Sequence, residues 1–238
     1  MVNKGLDTTT NKMKRGKNYN KALELFQKQA QHTIEDALEL LAKMPKVKFD
    51  ESVEVHVKTS IDPRKSDQQI RGAVELPHGT GKSVRVCVFT DTQQEEAKKA
   101  GADVIGGEEL IETIRTAGTI EFDVAVATPE MMPKLAKIAK ILGPKGLMPN
   151  PKSQTVGPKV TPMIEALKRG RQSFKNDDSG NLHFMIGKRS FDAQKLVENF
   201  NACMEELKKM KPAAVKGKFI KSVSVSATMT PGIRVSIK

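Results

Sequence analysis

Hydrophobic and polar residues alternate between residues 47 and 58. This period-2 pattern predicts a β-strand that buries one face against a core and leaves its polar face free. The apolar side holds Val47, Phe49, Val53, Val55 and Val57, and the polar side holds Lys48, Asp50, Ser52, Glu54, His56 and Lys58. A second short strand is predicted over residues 71–76, ended by the turn signal at residues 77–79.

Beyond residue 80 the pattern changes to apolar strands that alternate with amphipathic helices. Strands are predicted over residues 84–90, 102–105 and 122–127, and helices over residues 93–100, 108–116, 130–142 and 160–168. Near-continuous apolar strands are typical of a sheet that is covered on both faces. The alternation of strand and helix therefore predicts a parallel, Rossmann-like sheet in a three-layer α/β/α arrangement.

The final third of the chain returns to strands with one polar face. Strands are predicted over residues 174–175, 182–186, 218–227 and 233–238, and an amphipathic helix over residues 193–210. In the first third, helices are predicted over residues 19–30 and 34–44. Thr33 is the expected N-cap of the second helix, and Pro45 ends it.

These patterns predict a protein of two domains, one α/β and one α+β. Residues 1–79 plus 170–238 form a discontinuous, basic α+β domain, in which residues 1–18 are a flexible tail. The α/β domain of residues 80–169 is inserted into it. The chain is expected to cross between the domains at a hinge, where glycines permit wide backbone torsions; its residues are His78, Gly79, Thr80, Arg169 and Gly170.

Positive charge is concentrated at the two ends of the chain. The whole sequence carries a net charge of +12, of which residues 1–79 contribute +3, residues 80–168 +1 and residues 169–238 +8. If the two ends form one body, that body is suited to a polyanion, either nucleic acid or an anionic membrane surface. A basic surface that serves only solubility is the alternative. No apolar run approaches the roughly 20 residues that a membrane span requires.

Catalytic, metal and cofactor sites are not indicated by the sequence. The stretch HGTGKS at residues 78–83 resembles a phosphate-binding loop, but Leu76 stands where that loop needs its first glycine, and a strand is predicted to follow instead of a helix. Cys87 and Cys203 are far apart and the four histidines lack ligand spacing, so neither a metal site nor a disulfide is predicted. We therefore predict no enzyme activity.

Several long stretches resemble the ribosomal protein L1 family of the bacterial type. They are, in chain order, KFDESVEVHVK, IDPRKSDQQIRG, LPHGTGK, GADVIGGEELI, FDVAVATPEMM, ILGPKGLMPNPKSQTVG and SVSVSATMTPGIRV. The resemblance extends from Tyr19 to Val235, and its motifs are specific because none is a general fold pattern. The basic tail lies mostly outside it.

The resemblance implies a function without catalysis. A member of this family binds large-subunit rRNA as a monomer within the ribosome, where it forms the mobile stalk beside the exit site and moves with departing tRNA. Bacterial members also repress translation of their own operon mRNA. The implied location is the cytoplasmic ribosome, with no membrane partner. The rivals are an α/β enzyme that binds a nucleotide and an RNA-binding regulator that acts apart from the ribosome.

The resemblance also implies which residues bind RNA. The rRNA contacts would be Lys48, Phe49, Ser52, Glu54, Thr228, Met229 and Thr230, with Lys188 and Lys218 attracting phosphates. Contacts to tRNA would come from Arg64, Lys65 and Arg71, near the hinge. The family turn usually reads Thr-Met-Gly-Pro, and here Thr230 stands at the glycine position. If that glycine lets RNA approach the protein backbone closely, the Thr230 side chain would crowd it; the alternative is that Gly232, two positions later, relaxes the turn.

Overall fold

The structure is a computed structural model that describes residues 15–27 and 29–236, so most of the predicted tail of residues 1–18 lies outside the described residues. The helices are α1 (Lys17–Glu24), α2 (Ile34–Lys43), α3 (Gln94–Lys99), α4 (Glu108–Ala117), α5 (Met132–Leu135), α6 (Ala139–Leu142), α7 (Thr161–Arg169) and α8 (Ala193–Lys209). The strands are β1 (Gln31–His32), β2 (Ser52–Thr59), β3 (Arg71–Glu75), β4 (Val86–Phe89), β5 (Val104–Gly106), β6 (Val124–Ala127), β7 (Arg171–Lys175), β8 (Asn181–Lys188), β9 (Ile220–Ala227) and β10 (Ile233–Val235).

Strands from both ends of the chain form one five-stranded sheet in the order β1-β10-β9-β2-β8. All its pairings are antiparallel except that of β1 with β10. The odd residues Val53, Val55 and Val57 are fully buried, as the alternation predicts. They share one hydrophobic cluster with residues of α2 and α8. The side chains on the opposite face of β2, β8 and β9 are partly or fully exposed, so none of the helices that the structure describes covers that face.

The middle of the chain forms a three-stranded parallel sheet in the order β5-β4-β6. The four residues of β4 are all buried, because the sheet is covered on both faces. Phe89 belongs to a cluster with Ile111 of α4 and Leu135 of α5, whereas Val88 belongs to a second cluster with Ile164 of α7. The parallel pairing and the flanking helices agree with the prediction from the sequence.

Two strands connect the central segment to the rest of the chain. β3 and β7 pair antiparallel, from Arg71 opposite Lys175 to Glu75 opposite Arg171. The guanidinium of Arg171 also bonds the Glu75 carboxylate, with 2.8 Å between Nε and Oε1. The connections into and out of residues 80–169 therefore lie side by side.

Three predicted elements differ most from the observed ones. The strand expected from residue 47 begins at Ser52, so Phe49 is exposed and not on the core-facing side. The helix expected over residues 130–142 is interrupted by a 3₁₀ turn, Ala136–Ile138, between α5 and α6. The first helix ends at Glu24, and the short strand β1 follows it before Thr33 caps α2 by accepting a hydrogen bond from the Asp36 amide, at 3.2 Å.

Within residues 15–27 and 29–236, none of the helices is long and apolar enough to cross a membrane.

Candidate RNA-binding face

The start of β2 and the turn after β9 meet at one end of these two neighbouring strands, beside the uncovered sheet face. The Ser52 amide donates to Thr228 Oγ1 at 3.1 Å, and the register places Val53 opposite Ala227. Ser52 and Thr228 thus become neighbours although they are 176 positions apart in sequence. The resemblance implicates the residues around both of them in RNA binding. We call Phe49, Ser52, Lys188, Thr228 and Met229 the contact strip.

Two large apolar side chains of the contact strip face solvent. Phe49 is 54% exposed and Met229 is 60% exposed. Contiguous apolar patches mark binding surfaces, whereas single exposed apolar side chains are common, so these two are candidates because they adjoin the polar residues that the resemblance implicates. Phe49 lies in the segment that precedes β2 and Met229 lies in the turn that follows β9, so each projects from a loop held by the sheet.

Lys188 adds positive charge to the contact strip. It lies opposite Ser52 in the pairing of β2 with β8, and its Nζ donates to Ser52 Oγ at 3.1 Å and to the Asp50 carbonyl at 3.4 Å. Both acceptors are neutral oxygens, so the charge stays available to a phosphate. Glu54 follows Ser52 on the same face and is half-buried.

Thr230 contributes its hydroxyl to the turn itself. Its Oγ1 accepts from the Ala227 amide at 2.8 Å and lies 3.3 Å from the Ala227 carbonyl. The side chain therefore closes the turn after β9, and Thr230 is less exposed than Met229 beside it.

Other predicted contacts lie elsewhere. Lys218 precedes β9 whereas Thr228 follows it, so about 33 Å of extended chain separates the two. Lys218 therefore lies outside the contact strip. Arg64 and Lys65 are exposed in the turn that follows the opposite end of β2, and exposed Arg71 begins β3. Lys48, in contrast, lies next to the contact strip, because it precedes Phe49 in the loop before β2.

A buried ion pair holds the two loops of the contact strip. The Glu51 side chain is 1% exposed and that of Arg189 is 9% exposed, and the two form a salt bridge. The second carboxylate oxygen of Glu51 accepts from the Met229 amide at 3.0 Å. Glu51 thus links the segment that carries Phe49 to the turn that carries Met229.

Arg189 also binds the end of a helix. Its guanidinium donates to the carbonyls of Leu41 at 2.8 Å, Pro45 at 3.2 Å and Met44, which belong to the end of α2 and the residues after it. The last carbonyls of a helix lack partners within the helix and carry partial negative charge, so a cation there is favourable. One side chain therefore fixes α2, the following loop and, through Glu51, the Met229 turn.

Sequence reasoning missed both members of this pair. Glu51 stands at an odd position, where the alternation places core residues, and an acidic residue there signals a buried charge that needs a cation. No comparable signal identifies Arg189, because it lies 138 residues further along the chain. Asp50 was expected on the polar side, and its carboxylate accepts from the amide and the hydroxyl of Ser190, at 3.2 and 2.8 Å.

The predicted hinge residues lie together between β3 and β7. Gly79 has φ of 63° and Gly170 has φ of 111°, both in the left-handed region. A Cβ atom on Gly170 would lie 2.4 Å from the Gly79 Cα, so the two chain segments touch at their backbones. Gly170 also ends α7, as predicted. Thr80 follows Gly79, and Arg169 is the last residue of α7.

Asn199 of α8 anchors the first of these segments. The residue is fully buried, its Oδ1 accepts from the His78 amide at 3.1 Å, and its Nδ2 donates to the Gly79 carbonyl at 3.0 Å. The same Nδ2 donates to the Ile186 carbonyl at 2.7 Å. No local sequence pattern indicates this role.

The structure offers no support for nucleotide chemistry at HGTGKS. Gly79 and Gly81 both have positive φ, but the chain continues into β4 and no helix begins there to present its amides to phosphate. Cys87 and Cys203 are buried, and burial raises the pKa of each thiol to about 12. Among the residues that the structure describes, no group of three or more acidic, His or Cys side chains could hold a metal ion.

The sequence matches a known protein family over most of its length. Residues 40–231 match the Ribosomal protein L1p/L10e family. The chain is 54% identical over 223 residues to the large ribosomal subunit protein uL1 of Kosmotoga olearia, covering 93% of this chain and 96% of that protein. The proteins of the same name from Thermosipho melanesiensis and Mycoplasma capricolum are each 50% identical, covering 94% and 92% of this chain and 97% of each relative.

The family match contains the contact strip, the buried pair and both predicted hinge segments, and the relatives are aligned over nearly their whole length. Proteins of this family are ribosomal structural proteins and not enzymes, as expected from the sequence. The chain therefore belongs to the ribosomal protein L1p/L10e family.

Proposed function

We propose that this protein is a structural constituent of the large ribosomal subunit and binds folded large-subunit rRNA through the contact strip. The observation that carries the proposal is the pair of exposed apolar side chains, Phe49 and Met229, beside the polar groups of Ser52 and Thr228. The relatives named large ribosomal subunit protein uL1 support the assignment. The implied location is the cytoplasmic ribosome, where the chain acts as a monomer.

The chemistry of the strip suits folded RNA. A double-stranded or folded RNA presents 2′-hydroxyls and base edges in a shallow groove, which short polar side chains on a rigid sheet can reach. Ser52 and Thr228 can donate to or accept from such groups, and Glu54 can accept from base amino groups or 2′-hydroxyls. Phe49 and Met229 would pack on exposed base or sugar surfaces, while Lys188 would contact phosphate.

We also propose that the chain consists of two domains, residues 1–79 plus 170–238 and residues 80–169. The hydrophobic cluster around β2 contains no residue from 80–169, and the two clusters around β4 contain none from outside it, which supports separate cores. The hinge would lie at residues 78–80 and 169–170. Distances between labels on the two domains should change when RNA binds, and identical distances in free and bound protein would refute the hinge.

Two further roles follow from the family. The domain that carries most of the charge would bind the stalk rRNA, and the exposed cations Arg64, Lys65 and Arg71 would contact tRNA leaving the exit site. The same contact strip would bind the mRNA of the protein's own operon and repress its translation, because an mRNA folded like the rRNA site presents the same groups. Competition between the two RNAs for one site tests this role.

Salt-titrated binding distinguishes contact residues from distant ones. Each phosphate contact contributes about 0.7–0.9 to the slope of log affinity against log salt. With a folded fragment of the stalk rRNA, Lys188→Ala should reduce that slope by about this amount, whereas Lys218→Ala should leave it unchanged. Met229→Ala should weaken binding by about 1–2 kcal/mol without changing the slope. Equal effects of the two lysine substitutions would contradict the proposed site.

A further inference from the structure

A β-bulge turns Lys188 toward the uncovered sheet face. The even residues of β8 from Leu182 to Ile186 are buried, so an unbroken strand would direct Lys188 toward the core as well. The register with β2 shifts by one residue just before Gly187, so Ile186 is inserted without an opposite partner. Gly187 then takes the buried position, and Lys188 comes to lie beside Ser52 on the other face. A bulge of this kind commonly re-aims a side chain next to a functional site.

Asn199 of α8 joins the bulge to the chain segment that follows β3. Its Nδ2 donates to the Ile186 carbonyl at 2.7 Å and to the Gly79 carbonyl at 3.0 Å. Its Oδ1 accepts from the His78 amide at 3.1 Å. The residue is fully buried, where an unpaired polar group is costly, so all three bonds are maintained together. The backbone of the bulge and the backbone at residues 78–79 are therefore held as one unit.

Gly81, two residues further along this segment, packs against the side chain of Lys188. A Cβ atom on Gly81 would lie 2.8 Å from Phe191 Cε1 and 3.1 Å from Lys188 Cγ. Phe191 is half-buried against the core around β2, and its amide donates to the Lys188 carbonyl at 3.0 Å. The Phe191 ring and the aliphatic part of Lys188 thus form a surface that accommodates a glycine at position 81 and no larger residue.

We propose that Gly81 and Asn199 are positioning residues for Lys188, which keep its side chain in the orientation that contacts an RNA phosphate. The inference rests on the proposed function, in which Lys188 makes that contact. Neither residue belongs to the contact strip, so both act through Lys188. The segment that leads from β3 into residues 80–169 is thereby part of the support of the RNA-binding face.

Packing of the lysine stem explains how such support increases affinity. A lysine side chain is long and flexible, and it loses rotamer freedom when its ammonium group is fixed on a phosphate. In this structure Cγ already packs against Gly81, and Nζ donates to Ser52 Oγ at 3.1 Å. Part of that loss therefore precedes RNA binding, which is the general advantage of a preorganised site.

Salt-titrated binding of a folded stalk-rRNA fragment to the full chain tests the proposal. Gly81→Ala places a methyl group against Lys188 and Phe191, so it should move Nζ away from the phosphate. We expect the slope of log affinity against log salt to fall toward that of Lys188→Ala, by up to about 0.7–0.9. The matched control is Gly101→Ala, because Gly101 also has positive φ, 89°, but an added Cβ would have no atom within 4 Å. It should leave the slope and the affinity unchanged.

A second variant removes the other support. Asn199→Ala takes away all three hydrogen bonds between the bulge and residues 78–79 and should also lower the slope. Because this residue is fully buried, circular dichroism first establishes that the variant is folded. Gly81→Ala, at an exposed position, decides the proposal if Asn199→Ala does not fold.

The Lys188→Ala background distinguishes positioning from a separate contact. If Gly81 acts through Lys188, adding Gly81→Ala to Lys188→Ala should change the affinity by less than about twofold. A larger additional loss would overturn the proposal, because Gly81 would then contribute independently of Lys188. An unchanged slope in Gly81→Ala, with a reduced slope in Lys188→Ala, would overturn this inference alone. An unchanged slope in Lys188→Ala itself would overturn the proposed phosphate contact and this inference together.

Discussion

Replacing Arg189 with methionine removes the cation that holds the two loops of the contact strip. The substitution leaves the Glu51 carboxylate 1% exposed without its partner and removes the donor from the carbonyls at the end of α2. Breaking a buried ion pair by removing one member typically costs about 3–5 kcal/mol. A domain of this kind is stable by about 5–15 kcal/mol, so Arg189→Met should remain folded but be severely weakened.

A second substitution, Glu51→Gln, removes the negative charge of the buried pair but keeps the size and shape of the side chain. In Glu51→Gln the amide oxygen can still accept from the Met229 amide, and Arg189 keeps its carbonyl partners. We expect a cost of about 1.5–3 kcal/mol, the value of a hydrogen bond to a charged group. The double substitution should cost less than the sum of the two, because no isolated carboxylate remains.

Urea unfolding followed by circular dichroism measures these costs. Glu39→Gln is the matched control, because Glu39 forms an exposed ion pair with Lys43 on α2 and should cost less than about 0.5 kcal/mol. Hydrogen exchange at the Met229 amide, which bonds Glu51, should accelerate in Arg189→Met. A loss of less than about 1 kcal/mol of unfolding free energy for Arg189→Met, or additive losses in the double variant, would refute the stabilising role of the buried ion pair.

Three other predictions follow from the geometry. Gly170→Ala should destabilise the protein more than Gly118→Ala, because both have positive φ but only the added Cβ at Gly170 meets another backbone, and thermal melts compare them. Cys87 and Cys203, with thiol pKa values of about 12, should react with a thiol reagent at pH 8 only after unfolding, and rapid reaction of the native protein would contradict their burial. Burial opposes ionisation of Asp177, but hydrogen bonds outweigh it and lower its pKa from 3.8 to about 2. The ionised carboxylate should therefore stabilise the fold above pH 4, and this stabilisation should be lost as pH falls to 2. Acid unfolding of Asp177→Asn should lack that loss of stability between pH 4 and pH 2.

Local patterns were sufficient to predict most elements of the fold. The odd positions from Val53 to Val57 are buried as the alternation requires, Thr33 caps α2 and Gly170 ends α7. Each of these depends on neighbours within a few residues. The alternation failed before Ser52 because an apolar residue in a loop, such as Phe49, has the same sequence signal as one in a strand.

The contact strip could be predicted only through the family resemblance. The pairing of β2 with β9 and the link between Ser52 and Thr228 join residues 176 positions apart, and local periodicity does not specify such partners. The same limit explains why Arg189 and Asn199 were missed, since each acts through carbonyls or carboxylates supplied by distant segments. Lys218 was included because its charge is visible in sequence while its distance from the strip is not.

The most direct test of the central claim is the preference of the full chain for the folded stalk rRNA over an unrelated hairpin of equal length and charge, measured at one salt concentration. We expect tight binding to the stalk fragment, with Met229→Ala and Phe49→Ala reducing the preference and exposed Leu25→Ala, outside the strip, leaving it intact. Equal affinity for the two RNAs, or an unchanged preference in the Met229 and Phe49 variants, would contradict recognition by the contact strip.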